Sequence, residues 1–177
     1  MRFLDGKLIY LRPLLREDIN QKYLSWVNDS EVTKYMEVGT FPTTLESLNT
    51  YYDKMTKSSN QIILAIIVKS EQDLDMHIGN VTLNNINWVH RNAELGIMIG
   101  DSEYQNKECN AETIKLMVNY AFGKLNLHKI WTSVHSENRK AIDVYSGLGF
   151  IIEATLLQEF YLDGCYYNRT ILGIISH

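Results

Sequence analysis

Two side chains in the second half of the chain have the type and setting for proton-transfer chemistry. Glu94 stands in "AELGIMIG", 93–100. In a strand, Ala93, Leu95, Ile97 and Ile99 of that run face one way, and Glu94, Gly96 and Met98 the other. Tyr145 shares the apolar face of "ENRKAIDVYSGLG" with Ala141 and Leu148. Each has an ordinary reading as well: a carboxylate on a solvated face, and a tyrosine in a core. A third feature is the junction "YQNKECNAE", 104–112, between that strand and a helical pattern. The free N–H groups and dipole of a helix start favour an anion, and Lys107 would add a point charge. The junction has no glycine, however, and a plain strand–helix loop is the alternative.

Other chemistries find little support. The five histidines are scattered, and none stands four residues from another with an acid partner, so no metal site is expected. There is no GxSxG elbow, Walker motif or GxGxxG. A net charge of −4 gives no reason to expect nucleic acid. Cys109 and Cys165 are far apart, so a disulfide scaffold is not expected and a reducing cytoplasm is the default. The first residues carry charges within their apolar stretch, unlike a signal peptide. No apolar run reaches membrane-spanning length.

The elements that would position these groups follow from periodicity. The 177 residues, 45% hydrophobic, fit one domain over 1–177. "KLIYLRP" (7–13) alternates as a strand ended by Pro13. In "REDINQKYLSWVND", Ile19, Tyr23, Trp26 and Val27 recur at helical spacing. Residues 30–36 form a short helix capped by Ser30. Residues 43–57 form another, with Thr43 and Glu46 as a capping box. Strands are expected at 61–69, 77–86, 93–100 and 128–135. A long helix carries Ile114, Met117, Val118, Ala121, Phe122 and Leu125 on one stripe. Residues 150–161 and 165–175 read as a hairpin turning at "LDGC". The result is a mixed α/β sheet with helices on its faces. Ligands bind such sheets at the C-terminal ends of their strands, here the end of 93–100.

Taken together, "LIYLRPLLREDI", "WVNDSEVTKYM", "VHRNAELGIMIGDSEYQNK", "AETIKLMVNYAFGKLNLHKI", "SENRKAIDVYSGLGF" and "QEFYLDGCYYNRTIL" resemble the GCN5-related N-acetyltransferases. The similarity is greatest to the branch of ribosomal-protein N-terminal and spermidine acetyltransferases. It implies a mostly antiparallel central sheet splayed between its fourth and fifth strands, 93–100 and 128–135, with acetyl-CoA in the gap. It further implies that the backbone of Ile97, Met98 and Ile99 pairs with the pantetheine arm, as in β-augmentation. Residues 105–110 match the family's Q/R-x-x-G-x-G/A pyrophosphate loop. Gln105, Asn106, Lys107, Glu108, Cys109, Asn110, Ala111 and Asn138 are therefore the expected cofactor contacts. Tyr145 matches the tyrosine that protonates the departing thiolate. An amine with a pKa of about 10.4 is neutral in only about one molecule in a thousand at pH 7. A base is needed, and Glu94 is the candidate. A backbone N–H near Met98 would stabilise the thioester oxygen.

The chain departs from the family pattern where glycine or another small residue is usual, with Glu108 and Asn110. Either Glu108 points to solvent and the loop still holds a diphosphate, or CoA binding is weakened and the chain is a poorly active module. The acceptor is a small amine such as a polyamine, an amino sugar, or a protein N-terminus. It would lie near Trp26, Tyr35 and Glu37, and a homodimer is expected from the family.

Overall fold

The computed structural model describes residues 1–69, 75–105 and 107–176, without the side chain of Lys107. Its strands are β1 (Leu4–Asp5), β2 (Ile9–Pro13), β3 (Ile62–Val68), β4 (Met76–Asn87), β5 (Asn92–Ile99), β6 (Lys129–His135), β7 (Ile151–Leu162) and β8 (Cys165–Ile175). The helices are α1 (Gln21–Asn28), α2 (Ser30–Thr33), α3 (Leu45–Lys57), α4 (Lys107–Gly123) and α5 (Arg139–Gly147). All eight strands form one sheet in the order β1-β2-β3-β4-β5-β6-β8-β7. Every neighbouring pair is antiparallel except β5 and β6.

Strand alternation divides the core between the two faces of the sheet. Leu64, Ile66, Val81, Leu95 and Ile130 point toward α4 and α5, joining Ile114, Met117, Ala121 and Ile142. Ile63, Ala65 and Ile67 point the other way, onto Tyr23, Trp26, Val27, Leu48 and Met55 of α1 and α3. The continuous apolar run of β3 is thus covered by helices on both sides, as a central strand requires.

Several boundaries differ from expectation for local reasons. The helix expected from residue 16 is broken into a 3₁₀ turn at Arg16–Asp18 and α1. Asp18 turns back to pair with Arg12 at 2.6 and 2.8 Å. Asn20 then caps α1, accepting from the N–H groups of Lys22 and Tyr23. Asp29, rather than Ser30, caps α2. Thr44, with Ser47, caps α3 in place of Thr43 and Glu46. Thr43 is engaged elsewhere: its N–H and C=O both pair with the Asn28 side chain at 2.9 Å. Leu125 lies past the end of α4, which stops at Gly123. Strand β1 was not expected, since two residues carry no periodicity. The Glu112 carboxylate holds the adjoining turn, accepting from the N–H groups of Lys7, Leu8 and Ile9.

Candidate active site

The site begins where β5 and β6 part. They pair only at Asn92–Lys129, Ala93–Ile130 and Glu94–Trp131. From Leu95 onward the two strands diverge, and the β5 edge facing β6 has no strand partner. The splay lies between the two stretches expected to part, numbered β5 and β6 once β1 is counted. It opens into a cavity of about 810 Å³ that reaches both faces of the sheet.

Glu94 lines this cavity on the α1–α3 face. It stands opposite Asn84, next to a β-bulge in β4 where Asn85 adopts a left-handed φ of 51°. The bulge brings the Asn85 side-chain N–H within 3.3 Å of the Glu94 carboxylate. Burial lifts the Glu94 pKa above the usual carboxylate range, and nearby Glu37 adds to the rise. The Asn85 hydrogen bond and the positive charge of Arg169 oppose it without reversing it.

Tyr145 lines the same cavity from α5, on the opposite face. It is 4% exposed, and its ring meets Phe150 edge-on at 5.1 Å. Burial pushes its pKa up to about 12, against a smaller lowering by the Thr132 hydroxyl. The phenol is thus a proton carrier at neutral pH.

The remaining expected site residues fall into groups. Ile97, Met98 and Asn138 line the cavity, as do Tyr35 and Glu37. Ile99 lies beneath it in the core. The Asn138 side chain also caps α5, accepting from the N–H of Ala141 at 3.2 Å. Trp26 is not in the cavity wall: it is 5% exposed, packed against His77 at 5.2 Å. Its indole covers Gly100, where any Cβ would overlap the ring. An amphipathic helix pattern could not distinguish this core role from a place beside the acceptor.

The junction forms the entry to α4. Gln105 donates from its side chain to the C=O of Ile99 at 2.9 Å, tying the loop to the end of β5. Glu108 is exposed on the first turn of α4, and Cys109 is buried in the core. Asn110 and Ala111 are half-buried. None of these five lines the cavity. Asn106 lies outside the described residues, as does the side chain of Lys107. Among the cavity residues that were not anticipated are His135, Phe160 and Arg169. Their convergence depends on strand register, which periodicity does not give. Among the described residues, no group of His, Cys, Asp and Glu could hold a metal ion. No helix among them is long and apolar enough to cross a membrane.

A free β5 edge beside a helix N-terminus fits CoA. The edge offers backbone hydrogen bonds to the amides of an extended arm, and the helix offers N–H groups to a diphosphate. The family model for the acetyltransferase (GNAT) domain matches residues 9–151. The spermidine N(1)-acetyltransferase of Escherichia coli K12 is 35% identical over 170 residues, covering 96% of this chain and 87% of that protein. The spermidine N-acetyltransferase of Vibrio cholerae, solved in complex with CoA and spermine, aligns with a TM-score of 0.85 at 29% identity, covering 96% of each chain. A dodecameric structure of the V. cholerae enzyme in an intermediate state aligns with a TM-score of 0.78 at 29% identity, covering 96% of this chain and 95% of that one. The chain belongs to the GNAT acetyltransferase family and is an N-acetyltransferase that uses acetyl-CoA.

Proposed function

We propose that the chain acetylates a primary amine of a small molecule by direct attack at the splay, with Glu94 as base and Tyr145 as acid. The observation that carries this reading is the placement of a carboxylate and a protonated phenol on opposite faces of one opening. The amine nitrogen forms a bond to the thioester carbon, and the carbon–sulfur bond breaks. The proton lost by the amine passes to Glu94, directly or through a water. The sulfur takes its proton from Tyr145, which solvent restores. A backbone N–H near Met98 holds the developing oxyanion. The β5 edge from Ile97 to Ile99 orients the pantetheine arm, and residues 105–111 with Asn138 hold the rest of CoA. The exposed position of Glu108 supports a working diphosphate loop over a disabled one.

The relatives are named for a small amine, which favours that class of acceptor over a protein N-terminus. Tyr35 and Glu37 belong to the acceptor side of the cavity. Self-association is part of the same reading. The V. cholerae enzyme is dodecameric, and β7 exposes Ile151, Ile152, Leu157 and Tyr161 along its length. A reducing, cytoplasmic setting fits two free cysteines on separate elements, α4 and β8.

The test is release of free thiol with an amine panel, for the wild type and Glu94→Gln. Loss of the base should lower kcat/KM by about 10²-fold. It should also remove an acid limb whose pKa lies above about 4.3, leaving only the limb of the amine itself. An unchanged rate and pH profile in Glu94→Gln would remove Glu94 from the mechanism.

A further inference from the structure

Strand alternation in β4 puts Val81 and Leu83 in the core beneath α4 and α5, and Thr82 and Asn84 on the opposite, cavity-lining face. Continued regularly, it would bury Asn85 and turn Ile86 toward Glu94. The structure does the reverse. Pairing with β5 is regular as far as Asn84–Glu94 and resumes only at Asn87–Asn92, so Asn85 and Ile86 together oppose Ala93. Ile86 is 4% exposed and lies in the same core cluster as Leu83. Its N–H donates to the C=O of Asn60 at 2.9 Å, which fastens the bulge to the turn before β3. The bulge is made by the left-handed φ of 51° at Asn85, a conformation asparagine adopts more readily than most residues.

The extra residue re-aims one side chain. Asn85 turns its amide back to β5, and its Nδ2 donates to Oε2 of Glu94 at 3.3 Å. Asn85 is exposed and stands outside the cavity wall, whereas Glu94 is part of that wall. The amide thus reaches the carboxylate from outside the cavity and occupies one of its two oxygens.

We infer, on the reading of Glu94 as the base, that Asn85 is a positioning residue whose amide holds Oε2 of Glu94 and leaves Oε1 to take the proton of the acceptor amine. A carboxylate held by a donor on a pinned bulge is pre-oriented, whereas a freely rotating one meets the amine for only part of the time. The donor also favours the charged form, which is the form a base needs. Burial works against that form. Tyr23 from α1, Tyr35 and Glu37 after α2, Tyr51 from α3, His135 from β6 and Arg169 from β8 line the cavity with Glu94, and Tyr145 stands on the far face. Of these, Arg169 supports the charged form and Glu37 opposes it, and the Asn85 hydrogen bond is a larger support than Arg169. Burial favours the neutral ring of His135.

The test follows the Glu94 carboxyl carbon by NMR across pH 3–9, with Glu94→Gln to assign its signal, beside the pH profile of kcat/KM for thiol release with spermidine and glucosamine. Asn85→Gly removes the donor and still accepts a positive φ. It should move both the titration and the acid limb to higher pH by at least about half a unit. It should lower kcat/KM at pH 7 by about three- to tenfold and leave acetyl-CoA affinity unchanged. Asn85→Asp, which sets a second carboxylate beside Oε2, should move the titration further up and serves if the glycine variant does not fold. In the Glu94→Gln background Asn85→Gly should have no further effect on the rate. A titration and limb that stay in place in both Asn85 variants, or an equal loss of rate in the Glu94→Gln background, overturn the inference and leave Glu94 as the base. A Glu94→Gln variant as active as the wild type removes the base reading, and the inference with it, as does a wild type that turns over neither amine.

Discussion

Replacing Tyr145 by Phe removes one oxygen from a ring that otherwise keeps its packing against Phe150. The stability effect is small: one hydroxyl whose neighbour is Thr132, worth about 1 kcal/mol. The catalytic effect is much larger. With the phenol pKa at about 12, Tyr145 holds its proton across the working pH range but is a weak acid, which limits its contribution. Proton transfer by a positioned side chain contributes about 10²–10⁴-fold. A thiolate is a tolerable leaving group, with a thiol pKa of about 8.5, so the low end applies. The expected loss at pH 7 is about 10²-fold in kcat, or about 2.7 kcal/mol. The defect should narrow above about pH 8.5, where the departing sulfur no longer needs a proton. The assay is thiol release from acetyl-CoA across pH 6–10, with calorimetry to check that acetyl-CoA still binds. A variant within about threefold of wild type at pH 7 would refute the role of the phenol. A defect of constant size across the pH range would show that the hydroxyl acts in some other way.

Two predictions concern what holds the site in place. Asp18→Asn breaks the half-buried pair with Arg12 and should lower stability at pH 7 by about 2–4 kcal/mol, read by urea unfolding. Burial raises the Asp18 pKa, but Arg12, the Leu15 N–H and His77 together hold it below the ordinary value. The pair's contribution is therefore present above about pH 3.9 and fades as pH falls through the lower folded value. The gap between wild type and variant should close on acidification, and a constant gap would contradict the assignment. Glu112→Gln weakens the carboxylate that accepts from the N–H groups of Lys7, Leu8 and Ile9. It should lower stability by about 2 kcal/mol, seen as a Tm lower by roughly 4–8 °C. An unchanged melt would mean that water replaces the carboxylate at no cost.

What the sequence made legible was what depends on local period and on the order of elements. The alternation in 93–100 was enough to separate Glu94 and Met98 from Leu95 and Ile99, and the structure puts them on opposite faces. The stripe Ile114, Met117, Val118 and Ala121 was equally readable, because burial on one helix face repeats every three or four residues. Cap identity was not, since Thr43 and Thr44 are chemically equal and only the remote Asn28 decides between them. Trp26 was expected near the acceptor but is enclosed by Gly100 and His77, which come from a distant part of the chain. His135 and Arg169 meet because β6 and β8 pair in one register out of several, and that choice is made by the whole sheet. The exposure of Glu108 was likewise open, because the first turn of a helix can be covered or left in solvent.

The account depends on a loop that still holds CoA without its glycines. The most direct measurement is calorimetric titration of acetyl-CoA into the wild type and Glu108→Gly side by side. If the exposed Glu108 swings clear of the diphosphate, both should bind at micromolar levels, and their Kd values should differ by less than about threefold. A wild type that does not bind, rescued by the glycine, would contradict the account.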